Sequence, residues 1–199
     1  MDRPKFSIIV VCYQRYNNLQ CLLYSLLAQT YKDFEVIIIH DGYDSEHEKI
    51  ASEFVSKDSR FKYMYTDTRY NDWGMSLRNL GLSAAKGEWI INTNDDNYYV
   101  PIYLNELVDR IEANKECNFI YYDCVLSHNN VLNHNGKDYG LLIPQIRSCY
   151  IDMGQFAVKS EIISKYKFKI SFTGDGELIE SMKHELKPEY IDKILFVHN

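Results

Sequence analysis

The runs Phe6-Ser-Ile-Ile-Val-Val-Cys12 and Phe34-Glu-Val-Ile-Ile-Ile-His40 carry apolar, mostly β-branched residues one after another, with almost no polar alternation. A strand of that kind has no face to spare for water, and the architecture that covers both faces is a parallel sheet with helices on either side. Trp89-Ile-Ile-Asn92 is a third such run and Phe61 to Tyr65 a shorter one. Between them lie segments of helical period. Leu19, Leu22, Leu23, Leu26 and Leu27 share one face, Ser45 to Lys57 is a charged helix, and another runs through to Ala85. Ile102 to Ala113 supplies a fourth. The order β-α-β-α-β-α-β-α predicts an α/β fold with a mostly parallel central sheet and right-handed crossovers.

The pattern loosens after that. Phe119 to Leu126 reads as a strand, Asn129-Asn130 and Asn135-Gly136 as turns with a short hairpin between them, Ser160 to Lys165 and Gly176 to Glu185 as helices, and Ile191 to His198 as a closing strand. No repeat, low-complexity tract or linker interrupts the 199 residues. One domain is expected over 1–199, with a regular half at 1–100 and a less regular half at 101–199.

Composition narrows the function classes. A net charge of -6 argues against a broad grip on nucleic acid. No apolar run approaches the ~20 residues of a membrane helix. Five cysteines, with no Cys-x-x-Cys pair, fit neither a disulfide framework nor a zinc site. The expected compartment is reducing, and the expected location cytoplasmic.

The chemistry concentrates at Trp89-Ile-Ile-Asn-Thr-Asn-Asp-Asp-Asn-Tyr98. An apolar strand stops at two adjacent carboxylates, with Pro101 and an amphipathic segment beyond, which places Asp95 and Asp96 on the turn between a strand's carboxyl end and the next helix. Ligands of open α/β sheets bind at that edge. Two carboxylates with no Lys or Arg beside them in sequence suit a divalent cation held by hard oxygen ligands, Mn²⁺ or Mg²⁺ alike. An Asp/Asn-rich turn is the plainer reading. Tyr13 after the first strand and Asp41 after the second fall on the same edge. The turn Tyr13 to Asn18 holds no glycine, and there is no Gly-x-Gly-x-x-Gly, P-loop, nucleophile elbow or His-Glu-x-x-His. A nucleotide would therefore be held by side chains and a metal.

Taken in order, Ser7-Ile-Ile-Val-Val-Cys-Tyr-Gln-Arg15, Ala28-Gln-Thr-Tyr-Lys-Asp-Phe-Glu35, His40-Asp-Gly42, Arg78-Asn79, Ala85-Lys-Gly-Glu-Trp89, Asn94-Asp-Asp-Asn97, Cys149-Tyr-Ile-Asp152 and Thr173-Gly-Asp175 resemble the family 2 glycosyltransferases of GT-A fold, most closely their spore-coat polysaccharide type. The resemblance implies an inverting transfer of a sugar from a nucleoside diphosphate, UDP by preference, to a hydroxyl acceptor of a glycan. It divides the chain into a nucleotide-binding half and an acceptor half. By the same match, Tyr13, Arg15, Asp41, Arg78, Asn79, Asp95 and Asp96 bind the donor. Asp41 would meet the uracil ring, Asp95 the ribose and Asp96 the metal, while Arg78 would neutralise phosphate charge. Asp95, Asp96 and His198 are the metal candidates, His198 because many such enzymes place a histidine near the C-terminus.

Asp175 matches the catalytic base, which a sugar hydroxyl needs in order to lose its proton during attack. Glu177 is its fallback, and a helix N-cap is the bland role for Asp175. The sequence departs from the family in having only two carboxylates in the acidic stretch, in Val11-Cys12, and in ending at the closing strand. A catalytic domain of a longer protein is one reading of that end. A nucleotide-sugar-binding module without turnover is the competing function. A sugar-phosphate nucleotidyltransferase is disfavoured because its Gly-rich basic first loop is missing.

Overall fold

Both faces of the buried strands are covered in the computed structural model, which describes residues 3–127 and 139–198. Strands β1 (Phe6–Cys12), β2 (Phe34–His40), β3 (Phe61–Tyr65) and β4 (Trp89–Asn94) pair in parallel in the order β3-β2-β1-β4. Helices α1 (Tyr16–Leu27), α2 (Ser45–Lys57) and α3 (Met75–Ala84) make the crossovers.

The missing alternation in β1 follows from this packing. Phe6, Ile8, Val10 and Cys12 enter one core with Leu19, Leu22, Leu23 and Leu26 of α1, while Ile9 and Val11 enter the other with Met75 and Leu77 of α3. All eight residues of the first set are buried, and a fully buried aliphatic side chain stabilises by about 1.5–3 kcal/mol. On α3, Gly81 lets the helix sit directly on the sheet: a Cβ there would come 2.4 Å from Ile9 Cγ2.

The less regular half is built of β5 (Asn97–Tyr99), α4 (Tyr103–Ala113), β6 (Phe119–Ser127), β7 (Tyr139–Leu142), β8 (Phe156–Lys159), α5 (Ser160–Ile163), α6 (Gly174–Met182) and β9 (Pro188–His198). It extends the same sheet. Among the described residues the order is β3-β2-β1-β4-β8-β6-β9-β5, with β7 on the side of β6. β8 runs antiparallel to both β4 and β6, and β9 parallel to β6.

Three local expectations are corrected. The acidic turn leads into a short strand, β5, which pairs with β9, and α4 begins only after it. Strand β8 was not anticipated. The helix expected from Gly176 starts at Gly174, so Asp175 lies inside its first turn and Thr173 holds the N-cap position without a side-chain cap bond. β6 and β7 pair antiparallel, whereas the short hairpin read between the two Asn-rich turns falls outside the described residues. The turns read at Asn129-Asn130 and Asn135-Gly136 lie outside the described residues.

Candidate functional site

Parallel register brings the ends of β2, β1 and β4 level, with Cys12 opposite His40 and Val11 opposite Asn94. The residues that leave those strands, Asp41, Tyr13 and Asp95, therefore meet at one sheet edge. They line a cleft of ≈ 680 Å³ together with Arg15, Arg69, Asn71, Trp73, Gly74 and Asn94.

Asp95 is 2% exposed and organises the turn after β1. Its Oδ2 accepts from the Tyr13 N–H at 2.9 Å and its Oδ1 from Arg15 Nη1 at 2.9 Å. The same guanidinium nitrogen lies 2.8 Å from Asp96 Oδ2. One half-exposed cation thus joins two buried carboxylates. Burial pushes the Asp95 carboxyl up to about 6, against the pull of Tyr13 N–H and Arg15. Without a glycine in this turn, Gln14 takes the left-handed conformation, φ 54°.

Asp41 is buried and accepts from Tyr70 N–H at 2.7 Å on one oxygen and from Asn71 N–H at 2.9 Å on the other. It holds the loop 67–72 against the cleft, and each oxygen keeps a second lone pair for a ligand. The Arg69 guanidinium covers the Tyr13 ring at 3.9 Å, while Tyr13 stacks on His40. Arg69, Asn71 and Trp73 are cleft residues that the sequence did not single out. The signal available was position, since a loop after a parallel strand faces the ligand edge. Asn71 and Trp73 take positive φ, at 54° and 58°, a strain of the kind found at ligand clamps, and Gly74 follows at 79° without strain.

Arg78 lies beneath that clamp, 4% exposed. It donates to the Trp73 carbonyl at 3.0 Å and to Asn94 Oδ1, tying the loop to the end of β4. Burial lowers its affinity for a proton, while nearby carboxylates, Asp175 first, oppose that loss. Asn79 is placed differently. Its amide donates to Phe168 O at 2.9 Å and accepts from Phe168 N–H at 3.0 Å, so both ends of the side chain hold the segment before α6.

That segment carries Asp175, whose Oδ1 accepts from the Gly176 N–H at 2.7 Å. Phe172 meets Trp73 edge-on at 6.0 Å, which brings the start of α6 beside the cleft wall. Glu177 is occupied: Ser171 donates to it at 2.7 Å, Lys169 pairs with it at 3.3 Å, and those partners hold it below the usual carboxylate range. His198 stands opposite Asn97 in the β5–β9 ladder, one residue from Asp96, with Nδ1 3.8 Å from Asp152 Oδ2. The structure thus gathers Tyr13, Arg15, Asp41, Asp95 and Asp96 at one place, sets Arg78 under it and His198 beside it, and gives Asn79 to a neighbouring loop.

The family model described as Glycosyl transferase family 2 matches residues 7–170. A Bacillus subtilis (strain 168) protein carrying the name glycosyltransferase EpsH is 32% identical over 108 residues, which take in 54% of this chain and 30% of the relative. The structure of S. aureus TarS 1-349 in complex with UDP-GlcNAc superposes with a TM-score of 0.78 at 18% identity, covering 97% of this chain and 58% of that one. The mannosyltransferase PcManGT from Pyrobaculum calidifontis, in complex with GDP-Man and Mn²⁺, gives a TM-score of 0.74 at 13% identity, covering 99% and 57%. These two likenesses establish the GT-A fold. The chain spans less than two thirds of the length of each of the three proteins.

Proposed function

The chain belongs to glycosyl transferase family 2, and from that premise we propose that it transfers a sugar, with inversion, from a UDP-linked donor to a hydroxyl acceptor in glycan synthesis. The observation that carries this reading is the buried pair Asp95 and Asp96, joined by Arg15, in the cleft that Tyr13 and Asp41 also line. Two proteins of this fold are seen in complex with nucleotide sugars, TarS 1-349 with UDP-GlcNAc and PcManGT with GDP-Man and Mn²⁺.

In this reading Tyr13 and Asp41 receive the base, Asp41 through the lone pairs not taken by Tyr70 and Asn71. Asp95 receives the ribose. The donor set of the acidic turn fits a hard divalent cation: two adjacent carboxylates, each at least nine-tenths buried, offering hard oxygen atoms at the cleft. Asp96 and Asp95 would hold it, with His198 alongside, and the ion would supply Lewis-acid stabilisation of the departing diphosphate. Arg15, about half exposed, is free to turn from the carboxylates toward a diphosphate, a charge its guanidinium matches. Asp175 takes the proton of the acceptor hydroxyl as that oxygen attacks the anomeric carbon and the bond to the nucleoside diphosphate breaks. Glu177, engaged by Ser171 and Lys169, is less available for that step.

Titration calorimetry of UDP with and without Mn²⁺, on the wild type and on Asp96→Ala, tests the proposal. Mn²⁺-dependent binding that disappears in the variant supports it. Binding indifferent to Mn²⁺ and to the substitution removes Asp96 from the site. Metal-dependent binding with no turnover of any UDP-sugar would leave a binding module instead.

A further inference from the structure

A second group of potential ligand atoms lies behind Tyr13, at the end of β2. His40 closes that strand, Gly42 turns the chain at φ +92°, and α2 begins under the N-cap residue Asp44. Asp44 Oδ1 accepts from the N–H groups of Glu46 and His47 at 3.0 and 2.9 Å. That cap sets the first turn of α2 so that His47 folds back over His40, with ring centroids 4.0 Å apart. Both imidazoles are buried, at 2% and 0% exposure.

Their hydrogen bonding is incomplete in an informative way. His40 Nδ1 lies 2.7 Å from the Gly42 carbonyl. A carbonyl can only accept, so Nδ1 carries the proton and Nε2 presents a lone pair. That Nε2 has no hydrogen-bond partner, nor has His47 Nε2, while His47 Nδ1 lies 3.3 Å from Asp44 Oδ1. Burying polar atoms in this state is costly unless something completes them. One ligand atom from each of His40, Asp44 and His47 lies within 4.8 Å of the other two.

We propose that His40, Asp44 and His47 bind a transition-metal cation of the zinc class, at a site separate from the Asp95–Asp96 pair. Two imidazoles and one carboxylate suit zinc, whereas magnesium and manganese prefer oxygen alone. The surrounding contacts are those expected of such a centre: the Gly42 carbonyl orients His40, and the Tyr16 hydroxyl donates to the other Asp44 oxygen at 3.0 Å. The ion would enter past Asp44 and Tyr16, the partly exposed side of the group. Once bound, it would pin the Asp41-Gly42 turn and the His40 ring on which Tyr13 stacks, so it would stiffen the wall that receives the base without touching the reacting atoms.

The test uses the whole chain after treatment with chelator, titrated with Zn²⁺ in excess Mg²⁺, and in parallel with Co²⁺ while the visible spectrum is recorded. The expected result is one tightly bound equivalent, an intense Co²⁺ band of low-coordinate type, and the same affinity in Asp95→Asn. His47→Gln should weaken Zn²⁺ by at least about 100-fold. Asp44→Asn keeps an N-cap residue and so guards against misfolding; it should weaken Zn²⁺ by at least about 10-fold while circular dichroism is unchanged. No stoichiometric Zn²⁺ in the folded wild type, or affinity indifferent to both substitutions, overturns the proposal. None of these readings depends on UDP or on turnover, so the donor site and this site fail separately.

Discussion

Glu35 and Asp95 are both carboxylates buried in the parallel half of the sheet, at 5% and 2% exposure, but they stand at opposite edges of it. Glu35, near the start of β2, accepts from Ser7 Oγ at 2.6 Å, Lys86 N–H at 2.7 Å and Lys62 Nζ at 2.5 Å. Burial alone would raise its carboxyl; those three partners outweigh burial and hold it below the usual range. Asp95, just past the end of β4, is pushed by burial to about 6, and Tyr13 N–H and Arg15 do not bring it back. Similar exposure, with a deeper setting and fewer donors for Asp95, gives one carboxylate that is finished and one that gains from an added positive charge. Strongly perturbed groups in clefts mark functional sites for this reason.

The sharpest way to break the comparison is at the acidic turn. Asp96→Asn is expected to cut transfer by about 10³-fold, since a cation's stabilisation of leaving-group charge is a several-kcal/mol effect. Its melting temperature should stay close to wild type. Asp175→Asn comes next, with kcat down by about 10²–10⁴-fold, as for loss of a general base. UDP affinity should be unchanged, and a parallel loss of UDP binding would return Asp175 to a structural role.

Glu35→Gln should show the reverse pattern. It leaves Lys62 and two donors short of a charged partner and should destabilise the chain by about 1–3 kcal/mol. Urea unfolding would register that loss, while the UDP dissociation constant at a temperature where the variant is folded stays the same.

The smallest effect is in pH, and there the two residues have opposite signs. Glu35's pKa in the folded chain is below its ordinary value of 4.5, so its contribution is complete above that value and is lost as pH falls through the lowered pKa. Asp95's folded pKa, about 6, is above its ordinary value of 3.8, so its contribution is complete below 3.8 and lost as pH rises through about 6. Unfolding curves between pH 3.5 and 6.5 for Glu35→Gln and Asp95→Asn should therefore deviate from wild type in opposite directions. Mn²⁺-supported UDP binding should weaken by up to about tenfold per pH unit below about 6, because one proton must leave Asp95.

The regular half was legible because its information is local. Seven consecutive buried residues in each of β1 and β2, and the leucine face of α1, state their environment within a single element. Asp41 and Asp95 could be placed at one edge because parallel strands all end on the same side. β8 could not be read, since Phe156-Ala-Val-Lys159 becomes a strand only through antiparallel partners 68 residues away on one side and about 37 on the other, as in Ile90↔Val158 and Ile120↔Ala157. The Asn79–Phe168 pair was hidden for a similar reason: a position beside Arg78 says nothing of Phe168. Arg15 has no carboxylate next to it in the chain, so its bridge between Asp95 and Asp96 depends wholly on the register of β1 and β4. His40 and His47 were passed over because their meeting rests on the tightness of one turn.

Arg78 and Asn79 are neighbours on α3, yet the first reaches the Trp73 loop and the end of β4 while the second holds Phe168, seven residues before Asp175. Anything that shifts α3 by a fraction of a turn would move both together. On the proposed function such a link would favour a compulsory order, with the donor seated in the cleft before Asp175 is aligned for the acceptor. Asn79→Ala would then uncouple the two, and steady-state product-inhibition patterns would change from ordered toward random.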